Sequence, residues 1–469
     1  MKYERYIIAG IIILALAAVI AVGFNDRTIY TLPTSLDSNV RFNTSGGFVG
    51  VGLSVAKTGT FNNRGEGFVG RGLRGPGYVS FLALSFLIFG EYTWSVYLIN
   101  FIFLAIALYL LWRISQYYVS GYFVFVPSLM LALYPLSAQQ VYGGYEPFTI
   151  FLLTLSLFAL LKYSSTQKIR FLIISAVSLS IWALERPIFL YFLPVVFMLL
   201  ILWQWSTVPK KRFMIHMIVF SFIIFFIIGS WSFRNHRVLG TWQLGSGGHI
   251  LLRPATQVDF SSEDLISAAL SYAVGDFIGS RIYSHFPKNA EVKAWDPSVE
   301  QRFLYKEGWI VQDNDGEVLT KAELDKKMYR EATSKIKQHP MKFLLTGFIR
   351  LLRLNGPVNH RSLEIMSLFM GTNMNLSIGL KISIIVIIRL VWFSFLALVL
   401  FGIVRHSKDW RLWGIIALLI LYYNGTHALL THGEARYLLT VMPLYFLFFA
   451  SSVQFLGVKF GFNSDPSAR

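Results

Sequence analysis

The sequence predicts an all-α membrane protein with about ten transmembrane helices, juxtamembrane helices and two large extracytoplasmic loops. Of its 469 residues, 55% are hydrophobic and 14% are charged, whereas a soluble domain would carry about a quarter charged residues. Apolar runs at 7–24, 213–229 and 382–404 are long enough to cross most of a bilayer at about 1.5 Å rise per residue. Because polar residues do not alternate within these runs, they indicate helices rather than barrel strands.

The apolar segments place the spans along the chain, and the basic residues orient them. The predicted spans are 6–24, 93–112, 120–136, 147–163, 170–185, 188–205, 213–231, 378–404, 411–423 and 438–457. Lysines and arginines gather at 113, 162–170, 210–212 and 405–411, in the connections that would all lie on one side. The positive-inside rule then places these connections in the cytoplasm.

This orientation predicts three regions. Residues 1–231 form an N-terminal transmembrane module that includes a first extracytoplasmic loop at 25–92, residues 232–377 form a second extracytoplasmic region, and residues 378–469 form the C-terminal transmembrane helices. The stretch 75–90 is too short to span comfortably and is expected to lie in the membrane interface. The second region is predicted to contain a helix over 321–337 and a basic amphipathic stretch over 341–354 on the membrane surface. No soluble unit with its own hydrophobic core is expected.

The formal charge of +17 favours basic cytoplasmic loops and contact with anionic lipid head groups or phosphates. No nucleic-acid-binding module is recognisable, so nucleic acid is not a predicted partner. The chain has no cysteine, which excludes disulfides and thiolate metal sites. A Walker loop, a dinucleotide fingerprint and a nucleophile elbow are all absent from the sequence, and no cofactor is predicted.

Polar clusters at the extracytoplasmic span ends are the candidate sites. They are 71–78 (RGLRGPGY), 142–147 (YGGYEP), 184–187 (LERP), 231–240 (WSFRNHRVLG) and 431–437 (THGEARY). Arginine beside glycine and proline suits a phosphate, because a tight turn presents backbone N–H groups next to a guanidinium. The alternative is that these clusters are polar loops that contact head groups, with ordinary helix-end charges. His432 and Glu434 of the last cluster, together with His427 upstream of it, match no strong zinc spacing, so no metal site is predicted.

The order of these motifs resembles the multi-spanning glycosyltransferases that use polyprenyl-phosphate sugars and share the GT-C fold. This group includes protein O-mannosyltransferases and the lipid A aminoarabinose transferase. The matching motifs are Arg74 to Tyr78, Phe89-Gly90, Glu146-Pro147, Glu185-Arg186-Pro187, Trp231 to Gly240, Tyr329-Arg330, His339-Pro340 and Arg436-Tyr437. The resemblance covers nearly all of the chain. It implies an integral enzyme of the cell membrane with a polyprenyl-phosphate-linked sugar donor and a glycan, lipid or protein acceptor on the extracytoplasmic side.

The resemblance also implies residue roles. The family carries an acid early in the first extracytoplasmic loop, but Thr44 and Ser45 stand at the matching positions here, and the nearest acids are Asp37 and Glu66. We therefore expect Asp37 to be the general base, with Glu66 as its rival, and a single displacement that inverts the anomeric carbon. The expected substrate-binding residues are Arg74, Tyr78, Glu146, Arg186, Arg234, Asn235, His432, Glu434 and Arg436.

Two other functions remain open at this point. A transporter or flippase for a lipid-linked saccharide would also need a basic groove, although two long extracytoplasmic loops and the lack of two related halves favour the enzyme. A catalytically inactive scaffold of the same fold would explain the missing acid at positions 44 and 45.

Overall fold

The computed structural model describes residues 3–25, 46–61, 75–205, 208–245, 248–283, 305–306, 310–312, 318–319, 321–357, 377–431 and 435–459. The first half forms helices α1 Glu4–Asn25, α2 Gly46–Thr58, α3 Pro76–Phe89, α4 Thr93–Ser115, α5 Val126–Leu133, α6 Pro135–Val141, α7 Glu146–Thr166, α8 Ile169–Glu185, α9 Leu193–Gln204 and α10 Lys210–Leu239. The second half forms α11 Gly248–Thr256, α12 Ser262–Val274, α13 Asp276–Ile282, α14 Lys321–Gln338, α15 Pro340–Leu354, α16 Ile378–Arg405, α17 Trp410–Leu430, α18 Ala435–Leu438 and α19 Met442–Lys459. Short 3-10 helices add Gly121–Phe125, Pro187–Phe192, Gln257–Asp259, His406–Asp409 and Leu439–Val441.

Seven segments of the described chain are long and apolar enough to cross a membrane. They are Glu4–Gly23, Thr93–Ser115, Glu146–Thr166, Pro187–Gln204, Lys210–Val238, Ile378–Leu430 and Arg436–Lys459, and a bent helix pair would make an eighth. The segment Ile378–Leu430 holds both α16 and α17, and α8 has only 17 residues. The predicted helical membrane class is confirmed at this level, whereas the count of ten spans and the division into three regions stay predictions.

The bent pair replaces the single span predicted over 120–136. Helices α5 and α6 meet at 55° because Tyr134 is extended ahead of Pro135, whose ring disfavours a helical residue before it. The break frees carbonyl groups inside an apolar environment, where an unsatisfied group is costly. Ser137 Oγ lies 2.7 Å from both Leu131 O and Tyr134 O and donates to this pair of carbonyls.

The bundle is built around α7, which packs against α4 and α8 in one continuous apolar core. Helix α8 presents small residues inward, and the hydroxyls of Ser178 and Ser180 donate to Ile174 O and Ala176 O four residues earlier. Ser178 and Ser180 thus pair their own hydroxyls within α8, and small side chains of this kind allow neighbouring helices to approach closely.

The short helix predicted over 75–90 is confirmed as α3, and α2 packs against it. Tyr78 and Leu82 are fully buried on the inner face of α3, whereas Leu87 and Ile88 are exposed on its outer face. An apolar outer face on a helix too short to span is suited to the membrane interface.

The region 232–377 differs from prediction in two ways. Helices α11 and α14 pack together around Leu252, Ala255, Met328 and Ala332, so this region does contain a small apolar core. The strands β1 Tyr305–Lys306, β2 Ile310–Gln312 and β3 Val318–Leu319 form a small antiparallel sheet, so the chain is nearly all helical rather than strictly all-α.

The basic amphipathic stretch forms α15, and two of its arginines face the protein rather than its surroundings. Arg350 and Arg353 are buried, whereas Leu344, Leu345 and Phe348 are exposed. The exposed side chains recur at helical spacing, so the apolar stripe faces outward and the arginines face the protein.

Candidate functional site

The first turn of α3 lies directly on the end of α8. The backbone N–H of Tyr78 donates to Glu185 Oε1 at 3.0 Å. Free N–H groups and a partial positive charge mark a helix N-terminus, so the Glu185 carboxylate stabilises the start of α3. This contact holds residues 75–78, which follow Arg74 in the sequence, against the end of α8, where Arg186 lies.

Two glycines allow this close approach. A Cβ added at Gly75 would lie 2.6 Å from both Cδ and Oε1 of Glu185, and one at Gly77 would lie 2.5 Å from Ile181 Cγ2. Both distances are well below carbon–carbon contact at about 3.5 Å. The Gly-Pro-Gly sequence is therefore required by packing here, and not only by turn geometry.

Tyr78 anchors a buried hydrogen-bond network behind this turn. Its hydroxyl donates to Asn100 Oδ1 at 2.9 Å and lies 3.3 Å from Gly144 O. The amide of Asn100 donates in turn to Val141 O at 3.1 Å and to Gly144 O at 3.0 Å. Burial raises the pKa of Tyr78 well above its usual value, so the phenol remains a neutral donor. The network positions the glycine turn that precedes Glu146.

Arg186 is the central cation of the site. It is 6% exposed, and its guanidinium lies 4.9 Å from the ring centroid of Tyr145 and 5.3 Å from that of Tyr437. Its Nη2 is 3.5 Å from Oε1 of the buried Glu146, at the long end of a hydrogen bond. Arg186 Nε has no hydrogen-bond acceptor among the described residues. The guanidinium is thus held by ring faces and only loosely paired with a carboxylate.

The last turns of α17 and the chain after it supply the other side of the site. His427 stacks on Tyr423 with ring centroids 4.5 Å apart and contacts Tyr437 at 5.3 Å. The hydroxyls of Thr149 and Thr440 are 2.9 Å apart and tie this segment to α7. Arg436 precedes Tyr437, so the same segment brings a second positive charge to this side.

A second basic group lies at the end of α10. Arg234 is over the ring of Trp231 at 4.8 Å and over that of Phe61 at 5.8 Å, and its Nη1 donates to Asn235 Oδ1 at 3.1 Å. An arginine carries its charge at neutral pH, so this group is positive. The loop beyond α10 returns toward the first group, because a Cβ at Gly245 would lie 3.2 Å from the Pro187 ring.

The structure brings together Tyr78, Glu146, Arg186 and the Arg436-Tyr437 segment, and places Arg234 and Asn235 in the second group. The remaining predicted site residues lie outside the described residues; they are Asp37, Glu66, Arg74, His432 and Glu434. The predicted substrate-binding residues do not include Glu185, Tyr145 and Tyr437, although each lies in a predicted cluster beside a residue that is included. Among the described residues, no group of three or more His, Asp or Glu side chains is arranged to hold a metal ion.

Comparison with known proteins gives a distant structural likeness. No protein-family model matches, and no curated protein matches. Among solved structures, the chain is similar to the archaeal oligosaccharyltransferase AglB from Archaeoglobus fulgidus, in complex with an inhibitory peptide and a dolichol-phosphate. The identity is 12%, the TM-score is 0.49, and the match covers 98% of this chain and 52% of that one. It is also similar to ArnT from Cupriavidus metallidurans bound to undecaprenyl phosphate, at 10% identity and a TM-score of 0.37, over 96% of this chain and 78% of that one. The chain spans about half the length of the oligosaccharyltransferase, and at these values the likeness assigns no family to it.

Proposed function

We propose that this chain is a membrane glycosyltransferase that moves a sugar from a polyprenyl-phosphate donor to an acceptor hydroxyl of a glycan, lipid or protein on the extracytoplasmic face. The observation that carries the proposal is the environment of buried Arg186. Its guanidinium packs against the rings of Tyr145 and Tyr437 and is only loosely paired with Glu146. The order of the motifs along the sequence supports the same class.

The surroundings of Arg186 suit a phosphate group. The ring contacts use none of the hydrogen-bond donors of the guanidinium, and Nε is available for an acceptor. A phosphate oxygen could accept from Nε and compete with the 3.5 Å contact to Glu146. The charge of nearby Glu185 is partly offset because that carboxylate accepts from the N-terminus of α3.

The proposed reaction is a single displacement. The acceptor oxygen forms a bond to the anomeric carbon while the bond from that carbon to the phosphate oxygen breaks. The acceptor proton passes to a carboxylate, for which Asp37 is the first candidate and Glu66 the second. The polyprenyl phosphate departs with the added negative charge, which Arg186 stabilises in a site of low dielectric. The anomeric carbon is inverted.

The remaining cations have supporting roles in the proposal. Arg234, held between Trp231 and Phe61, would contact the sugar or the phosphate from the end of α10. Arg74 and Arg436 would add positive charge from the first loop and from the segment after α17.

Sugar transfer by the purified protein in lipid nanodiscs tests the proposal. A panel of undecaprenyl-phosphate monosaccharides serves as donors, and released undecaprenyl phosphate is quantified by mass spectrometry. We expect release for at least one donor and a loss of about 100- to 1,000-fold in Arg186→Gln. Asp37→Asn should lower turnover by about 100- to 10,000-fold if Asp37 is the base. The control is Asp409→Asn, which removes an exposed carboxylate from the 3-10 turn between α16 and α17.

The outcomes separate the candidate functions. Release in the wild type together with near wild-type turnover in Asp37→Asn would move the role of base to Glu66, for which Glu66→Gln is the parallel variant. Movement of an intact donor between leaflets, without release, would identify a flippase. Donor binding with neither release nor movement would identify an inactive scaffold. Either of the last two results overturns the proposal.

A further inference from the structure

A second buried basic centre lies behind the wall of the first, where α12, α15 and the 3-10 turn Gln257–Asp259 meet. A small open cavity is lined there by Gln257, Ala268, Tyr272 and Arg350, among others. Arg350 is 1% exposed. Its Nε donates to Ala428 O at 2.6 Å, next to His427 in the wall of the Arg186 site. The cavity is therefore close to the proposed donor site, and its lining does not include Arg186.

The partners of Arg350 are neutral. Its Nη1 donates to Pro254 O at 3.3 Å and to Gln257 Oε1, and its Nη2 has no acceptor among the described residues. Burial, together with the positive charge of Arg353, lowers the pKa of Arg350 to about 9, which leaves the guanidinium charged at neutral pH. A buried charge without an opposite charge is costly to the folded state.

Two more buried arginines raise the positive potential at the same place. Arg353 is 5% exposed and lies 5.6 Å over the ring of Tyr272. Arg389 is 5% exposed and donates to Tyr272 O at 2.9 Å and to Ala273 O at 2.6 Å. The carbonyls of Tyr272 and Ala273, at the end of α12, accept from Nη1 of Arg389 and carry no net charge.

We infer that this cavity binds a phosphate-type oxyanion against Arg350. An oxyanion would accept from the free Nη2 and would offset the buried charge. The group could be inorganic phosphate or the phosphate of an anionic lipid head group. A head group is within reach of the region because α15 exposes Leu344 and Phe348 on its opposite face, toward the proposed lipid.

Gln257→Glu is the decisive variant, because it places a carboxylate where the amide oxygen already accepts from Arg350. The wild type should gain about 2 °C in apparent Tm when the anion is present at about ten times its dissociation constant. Gln257→Glu should be more stable than the wild type without the anion and should lose the response. The control is Gln338→Glu, the same change at an exposed position on α14, which should keep the wild-type response.

Two series of Tm measurements at constant ionic strength distinguish free phosphate from a lipid head group. One series titrates inorganic phosphate in phosphatidylcholine nanodiscs, and the other replaces phosphatidylcholine with phosphatidylglycerol without added phosphate. A response in the first series identifies free phosphate, and a response in the second alone identifies a head group. Equilibrium dialysis of radiolabelled phosphate against the wild type needs no variant. The inference is overturned if the wild type responds in neither series, or if Gln257→Glu responds as the wild type does. These results are independent of sugar transfer at Arg186.

Discussion

Gly77→Ala tests whether the close approach of α3 to α8 sets the geometry around Arg186. A Cβ at this position would lie 2.5 Å from Ile181 Cγ2 and 2.9 Å from Glu185 Oε1. Carbon atoms pack favourably at about 3.5–4.0 Å, so the two helices must separate by about 1 Å. Overpacking of this kind costs about 1–3 kcal/mol of folding stability. A displacement of about 1 Å at a positioned reacting group lowers turnover by about 100-fold.

The assay is turnover with a donor found in the undecaprenyl-phosphate panel, together with the apparent Tm in nanodiscs. The control is Gly10→Ala in α1, because a Cβ there would meet nothing within 4 Å. We expect the control to match the wild type in both measurements, and Gly77→Ala to lose turnover by more than its change in Tm explains. Wild-type turnover in Gly77→Ala would refute the idea that contact between α3 and Glu185 positions the site.

Three further substitutions probe the same site. Arg186→Lys keeps the charge but loses the planar contact with Tyr145, so the affinity for undecaprenyl phosphate should fall about tenfold in a titration followed by native mass spectrometry. Glu146→Gln removes the carboxylate beside buried Arg186 and should lower the free energy of unfolding by about 1–3 kcal/mol. Added undecaprenyl phosphate should then raise the apparent Tm more than it does in the wild type. Tyr78→Phe leaves Asn100 Oδ1 without its hydroxyl donor and should destabilise by about 1–3 kcal/mol in denaturant unfolding, with a smaller effect on turnover than Gly77→Ala.

Much of the helical framework could be predicted from apolar runs alone. The spans predicted at 93–112 and 170–185 correspond to α4 Thr93–Ser115 and α8 Ile169–Glu185. A lipid environment demands only apolar side chains and a fully hydrogen-bonded backbone, and both requirements are local. The break at Pro135 is harder to predict from the sequence, because the chain stays apolar through it. The freed carbonyls are satisfied by Ser137 within the same segment.

The site was predicted less completely than the framework. The sequence placed Glu146 and Arg186 at span ends on the same side, and the structure brings their side chains to 3.5 Å. The contact between Glu185 and the N-terminus of α3 cannot be predicted from the sequence, because it depends on the rotation of α8 about its axis. The contacts of Arg186 with the rings of Tyr145 and Tyr437 are equally hard to predict, since they join helix ends that are far apart in sequence.

The buried arginines also change how the positive charge of the chain is interpreted. A basic amphipathic stretch is ordinarily expected to turn its arginines toward lipid head groups, yet α15 buries Arg350 and exposes Phe348. Helix C-termini explain part of this arrangement, because Arg350 donates to Ala428 O in the last turn of α17. Neutral carbonyls leave the net charge of the guanidinium uncompensated, and the same holds in part for Arg186, whose carboxylate contact is long. An anion that binds beside such a buried cation offsets its charge and therefore stabilises the folded state. The same physical reason supports both proposed phosphate sites.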